Sequence, residues 1–447
     1  MNTVATINGP KGRFVFGNLF DYVADAPQFL SGLQHSYGDI ALFHLGRQPF
    51  YAVFDPELIG QVYVGQHEKF IKNRRFWDNV REIFGKGLIT NEGESWKRQR
   101  KIAAPSFQPK SIARYVESMV TIADHYLDQW PLGKTLNAHD QMMLLTADIV
   151  AKALFGATTG DHGKKLLSAI QEIEHIVPRR VARPFRFLNR LPLPSNIRYK
   201  ALVKEIEQEV FAFIEEHERE GDAGRSTLLQ HLMNARYEDG SRMSHQQLRD
   251  EIINVFLAGH DTTAITLSWA YYLISMHPEV EARMVAELDQ VLGGAPPTVE
   301  TLRELTYTKQ VIQECLRLYP AAPVMGREAL QDVQLGTYTI PKGSAVLISP
   351  YVMHRLERYF DEPDKFKPER WTEAFQKSLP RHVFIAFGGG PRVCIGEHFS
   401  MMEAMVILCR VYQRFKLRYV GKPNPRYFVS ITLPPRDGMP IEVTPRD

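Results

Sequence analysis

The segment Phe387-Gly-Gly-Gly-Pro-Arg-Val-Cys-Ile-Gly396 sets three glycines and a proline ahead of one cysteine. A loop of that composition is stiff and carries little side-chain bulk, so it can lie flat against a planar group while presenting the sulfur. Cys394 also stands just before a predicted helix, whose unpaired N–H groups and positive dipole end favour a thiolate. One thiolate cannot build a zinc or iron–sulfur site, but it suffices as the axial ligand of a haem iron. Taken alone, the segment fits a tight glycine turn around a buried cysteine equally well.

A second segment able to do chemistry is Ala258-Gly-His-Asp-Thr-Thr263, inside a predicted long helix. Gly259 in a helix interior costs about 1 kcal/mol relative to alanine, so a compensating close approach is expected. Ala258 and Gly259 would let the helix lie near a flat macrocycle. Thr262 can bond back to a carbonyl and open a local kink, and Asp261 beside it makes an acid–alcohol pair able to relay protons. His260 is expected to point away from the metal. Glu314 and Arg317 are spaced to share one helix face and pair; an isolated pair of this kind is usually a surface contact of small worth.

Together these residues resemble the cytochrome P-450 family. Phe387-x-x-Gly390-x-Arg392-x-Cys394-x-Gly396 matches its cysteine-loop signature at every fixed position, and the resemblance runs over about residues 35–435. It implies haem b (iron protoporphyrin IX) with Cys394 as axial ligand, and Thr262 and Asp261 as the oxygen-activating threonine and acid. Phe387 and Ala258 would contact the haem. Glu314, Arg317 and Arg370 (in Pro368-Glu-Arg-Trp371) would form a structural network beneath the cysteine loop. Trp96 and Arg100 match a Trp-x-x-x-Arg pattern on an early helix. With Arg327, Arg392 and, more weakly, Lys72, they would serve the haem propionates, which need cations when buried.

The implied reaction is insertion of one oxygen atom from dioxygen into a lipophilic small molecule. The thiolate pushes electron density to iron and so favours O–O heterolysis. Phe76, Trp77, Val80, Phe84, Ile89, Val255, Ala322, Val324, Met325 and Ile431 make an apolar list of pocket residues, each of which could equally be plain core. The motifs look closer to the fatty-acid and eukaryotic-like branch, as a soluble bacterial member. Phe50 before Tyr51 leaves no Arg-Tyr pair for a fatty-acid carboxylate, so a terpenoid, a steroid or another neutral lipid competes with a fatty acid. Without a flavin or nicotinamide fingerprint, electrons would come from a separate ferredoxin- or flavodoxin-type donor with its reductase. Lys97, Arg98, Lys101 and Arg410 could dock it. The alternatives are a thiolate-haem isomerase, dehydratase or peroxygenase, and a non-enzymatic haem sensor. The Asp261-Thr262 pair argues against them.

The remaining features bound these readings. In 447 residues, 54 Lys and Arg stand against 51 Asp and Glu, which gives no reason to expect nucleic acid as partner. The three cysteines form no CxxC pair, so a disulfide framework is not expected. No long apolar run suggests a transmembrane anchor, and a cytoplasmic location is expected. The fold class expected is mainly α with a small β-rich part, a long central helix crossing the haem. It is read as one domain over 1–447, with β-rich stretches near 35–75, 320–350 and 415–447 and helical stretches near 76–319 and 396–415. Strands are expected over 38–53 and a hairpin over 333–349; helices over 246–276, 299–318 and 396–415; and a surface connector at the arginine-rich stretch 179–194.

Overall fold

The computed structural model describes residues 6–446 except 79, 157–164, 167, 171, 174, 175, 178, 179, 181, 182, 184, 185 and 221–226. These residues pack as two compact units: Met1–Arg74 with Lys309–Cys394 and Asn424–Asp437, and Arg75–Thr308 with Ile395–Pro423 and Gly438–Asp447.

The first unit is built on a five-stranded sheet in the order Ile40–Leu45, Gln48–Val53, Ala345–Ile348, Met325–Ala329, Phe70–Lys72. The sequence reads Gly38–Val53 as two strands, and the structure pairs them antiparallel through the turn at Gly46. Gln48–Val53 then pairs parallel to Ala345–Ile348, with Phe50 opposite Ala345. Ala345–Ile348 is buried throughout, as befits a strand covered on both faces. Of the hairpin expected over 333–349, Val333–Leu335 and Tyr338–Ile340 form it, and the remainder joins the large sheet.

The second unit is helical and is organised around His245–Ser275, 31 residues long. Its start is fixed by Ser244, whose hydroxyl accepts from Gln247 N–H in a reciprocal capping box. It ends before His277-Pro278, where proline removes the next donor. The helix expected over 299–318 is instead two, Val299–Glu304 and Thr306–Leu318. The break has a donor-counting reason: the Glu287 carboxylate accepts the N–H groups of Tyr307 and Thr308 and the Thr308 hydroxyl, capping the second helix from outside. The two tail strands, Phe415–Tyr419 and Pro440–Pro445, pair with each other, and Pro440–Pro445 pairs on its other edge with Thr135–Asn137 in this unit. Three residues are too few to show a strand period, so the sequence reads them as part of a helical stretch. In the arginine-rich stretch 179–194, residues 179, 181, 182, 184 and 185 lie outside the described residues; there Arg183 donates to Asn189 and Asn196.

Candidate functional site

The cysteine loop of the first unit is held by short backbone bonds. Gly388 N–H donates to Ile385 O, Val393 N–H to Gly390 O, and Cys394 N–H to Phe387 O at 2.9 Å. Gly390 has φ +65°, and a Cβ there would stand 1.9 Å from the carbonyl oxygen of Tyr63. Glycine is therefore required both for the turn and for the close approach. Cys394 is exposed at the end of this loop, whereas Cys315 and Cys409 are buried. Burial pushes both buried thiols up, away from the thiolate that a metal needs.

Beneath the loop lies an ion-pair network in which Glu314 and Arg317 are fully buried and Arg370 is half-buried. Arg317 donates to both oxygens of Glu314 at 2.8 Å, and Arg370 Nε donates to Glu314 Oε1 at 3.0 Å. Two members were missed by sequence reasoning. Trp371 Nε1 donates to Glu314 Oε2 at 2.8 Å, although the residue sits inside the recognised Pro-Glu-Arg-Trp segment. His354, for which the sequence carries no signal, accepts Ile385 N–H on Nε2 at 2.9 Å and faces Arg317 O with Nδ1 at 3.3 Å. Burial, with Arg317 nearby, lowers its pKa to about 3, so the ring is neutral. One continuous chain of bonds thus runs from Glu314 through Arg317 and His354 to the base of the cysteine loop.

Lys72 and Arg327 are direct cross-strand partners in the same unit. Directly paired residues of an antiparallel ladder put their side chains on one face of the sheet. Arg327 also lies over the Tyr63 ring, 5.3 Å from its centroid. Arg392 is half-buried in the cysteine-loop turn Gly390–Arg392. Among the pocket residues of this unit, Val324 and Met325 pack on the sheet core. Leu433 N–H bonds Ala321 O, which brings the half-buried Ile431 segment to that of Ala322.

In the second unit, His245–Ser275 is buried along most of its length, but Ala258 is exposed and Val255, Asp261 and Thr262 are half-buried. Spacings of three and four put Val255, Ala258 and Thr262 on one open face. Thr262 Oγ1 donates to Ala258 O at 2.7 Å, the back-bond expected from sequence. The expectation for Gly259 needs correction: a Cβ there would lie 3.0 Å from Val150 Cγ2, so this glycine serves the packing of helix Ala138–Phe155 rather than a macrocycle. His260 is buried against Phe256, bonds its carbonyl, and is held neutral by burial with a pKa of about 4. It is thus turned into the core.

Trp96 is buried, and Arg100 lies over its ring at 5.9 Å, on one face as the spacing requires. Trp77 makes edge contacts with Phe76 and Phe84; Phe84 and Ile89 are half-buried and Val80 is fully buried. Of the basic residues considered for docking, Lys97 pairs with Glu94, Lys101 with Glu238, and Arg98 stacks on Tyr237. Arg410 is largely buried and bound to Asp124 and Gln413, which removes it from a docking face. Beside Thr263, whose hydroxyl meets Ser400 at 3.1 Å, Glu403 is fully buried. Burial holds its carboxyl well above the ordinary range.

The donors of the first unit fit a haem: one exposed sulfur on a bulk-free loop, with cations on the neighbouring strands for carboxylates. Among the described residues, no helix is long and apolar enough to cross a membrane.

Comparison with known proteins agrees. The family model for cytochrome P-450 matches residues 7–440. Cyclooctatin synthase of Streptomyces melanosporofaciens is 34% identical over 443 residues, 95% of this chain and 93% of that protein. Pentalenene oxygenase of Streptomyces avermitilis is 32% identical over 417 residues, 93% and 92% of the two. The crystal structure of the cytochrome P450DA heme domain superposes with a TM-score of 0.88 at 26% identity, covering 99% of this chain and 98% of that one. These matches make the chain a member of the cytochrome P-450 family, a haem-thiolate monooxygenase acting on lipophilic molecules.

Proposed function

We propose that Cys394 is the axial thiolate and that the enzyme oxygenates a terpenoid or a similarly apolar carbon skeleton. The observation that carries the first part is the contrast among the three cysteines. Cys394 alone is exposed, at the end of the glycine loop, while Cys315 and Cys409 are buried with raised thiol pKa values. The substrate class is supported by the apolar character of the residues around the open helix face, and by two relatives named for cyclooctatin and pentalenene.

Haem bound through a thiolate supplies dioxygen activation and C–H oxidation. The chain's own residues orient, exclude water and move protons. The Thr262 hydroxyl proton is committed to Ala258 O, so its oxygen lone pairs remain to accept from a water or an acid. Asp261, next in the chain, is the acid that refills this relay. Ala258 leaves space above the helix, and neutral His260 stays out of it. Lys72, Arg327, Trp96, Arg100 and Arg392 are the partners for propionates. Electrons come from a separate ferredoxin- or flavodoxin-type protein, for which Lys97, Arg98 and Lys101 offer exposed positive charge, and the protein works in the cytoplasm.

The test is a reduced carbonyl spectrum of purified holoprotein and of Cys394→His. Wild type should show the long-wavelength Soret band of thiolate ligation, and the variant the shorter-wavelength band of imidazole ligation. A thiolate band that survives the substitution would exclude Cys394. Incubation with pentalenene and a surrogate redox chain, followed by mass spectrometry, tests the substrate class; no oxygenated product from any of a panel of terpenes would overturn it.

A further inference from the structure

The first half of the long helix carries the polar side chains of Arg249, Asp250, Glu251 and Asn254 where core is expected. Asp250, Glu251 and Asn254 are 4%, 2% and 1% exposed. All three reach one stretch of backbone, residues 84–90. Lys86 N–H donates to Asp250 Oδ2 at 2.7 Å, Leu88 N–H to Glu251 Oε2 at 3.0 Å, and Ile89 N–H to Asn254 Oδ1 at 2.9 Å. Asn254 Nδ2 returns a bond to Phe84 O at 2.6 Å.

The stretch is shaped to receive them. Gly85 has φ +57°, and a Cβ there would stand 2.0 Å from Asp250 Oδ1; at Gly87 a Cβ would stand 2.3 Å from Asn254 Nδ2. Thr90 Oγ1 closes onto Gly85 O, and Gln99 Nε2 holds Lys86 O, both at 2.8 Å. Buried polar groups cost stability unless bonded, and a loop held by its own turns would need none of them. Asp250 is further supported by Arg249 and Gln246. Glu251 has one oxygen on Leu88 and the other unpartnered, and burial pushes its carboxyl up to about 8.

The position of the latch gives it meaning. Glu251, Val255, Ala258 and Thr262 follow spacings of four, three and four along one helix face. Residues 84–90, with half-buried Phe84 and Ile89, are therefore fastened to the open face itself, one turn before Val255. We propose that Asp250, Glu251 and Asn254 are positioning residues that fix segment 84–90 as a wall of the substrate pocket and so set the bulk of ligand the pocket admits. The inference rests on the reading of the Ala258–Thr262 face as the distal side of the haem. Because the bonds go to backbone, the wall's place is fixed independently of its side chains.

The test uses holoprotein and two nitrogen ligands of haem iron, imidazole and the bulky clotrimazole, titrated by the Soret shift. In Asn254→Ala and Glu251→Ala, clotrimazole affinity should rise about tenfold relative to imidazole, whose own constant should stay within about twofold of wild type. Glu251→Gln keeps an acceptor for Leu88 N–H and should behave as wild type. Should the alanine variants not yield holoprotein, Asn254→Asp, which loses the Nδ2 donor to Phe84 O and to Asp250 O but keeps the acceptor for Ile89 N–H, should relax selectivity where Glu251→Gln does not. An unchanged clotrimazole-to-imidazole ratio in variants with a normal carbonyl spectrum would overturn the latch. Wild type lacking the thiolate carbonyl band would overturn the haem reading, and the latch with it.

Discussion

The indole N–H of Trp371 donates to Glu314 Oε2 over 2.8 Å, with both side chains shut away from solvent. Counting the two bonds from Arg317, one from Arg370 and the backbone N–H of Lys367, every lone pair of this buried carboxylate is engaged. Trp371→Phe keeps most of the volume and removes one donor. Chemical denaturation of the holoprotein should show a loss of about 1–3 kcal/mol. Glu314→Gln leaves Arg317 buried without its counter-charge and should cost more, about 3–5 kcal/mol.

His354 makes the same region sensitive to acid. Its folded pKa, about 3, lies below the ordinary 6.5, so protons bind the unfolded chain more readily. The stability it contributes is present above about pH 6.5 and is lost as pH falls from there toward about 3. Protonation would also fill the nitrogen that accepts Ile385 N–H, at the base of the cysteine loop. Acid titration of the reduced carbonyl complex should convert the thiolate band to the short-wavelength band over this window. A His354→Asn variant should show the short-wavelength band at neutral pH in a larger fraction of molecules.

Much of this region was legible in the sequence because its chemistry is local. Glu314 and Arg317 declare themselves by helical spacing, and the cysteine loop by glycines around one thiol. Trp371 and His354 escaped because their partners are 57 and 31 residues away in the chain, and nothing in a lone tryptophan or histidine reports such a partner. Gly259 misled for a related reason: a helical glycine signals close approach but not by what, and the neighbour is Val150. The helix break at Leu305 likewise depends on Glu287, a cap supplied from another helix.

Thr262→Ala removes the hydroxyl from the proton relay while leaving Ala258 O to its helical bond. With a surrogate redox chain, hydrogen peroxide released per nicotinamide consumed should rise severalfold and oxygenated product should fall. Thr262→Ser, which retains the hydroxyl, should restore coupling. Equal coupling in all three proteins would remove Thr262 from proton delivery.

Glu403 points the other way in pH. Its folded pKa is raised by burial, so the folded state keeps a proton that the unfolded chain releases above about pH 4.5. The protein therefore loses stability from this group as pH rises through that range. Glu403→Gln, uncharged at every pH, should melt higher than wild type at about pH 8 and lose that advantage toward about pH 5. An advantage independent of pH would show that Glu403 does not carry the buried proton.

The parallel pairing of Phe50 with Ala345 brings together strands far apart in the sequence. During synthesis, Ile40–Leu45 and Gln48–Val53 emerge early as a hairpin with an open edge, and the partner of that edge is made hundreds of residues later. Such a delay makes folding slow and leaves an aggregation-prone edge waiting on the ribosome. Expression at low temperature, where translation and collisions both slow, is the condition this topology favours for recovering the protein in good yield.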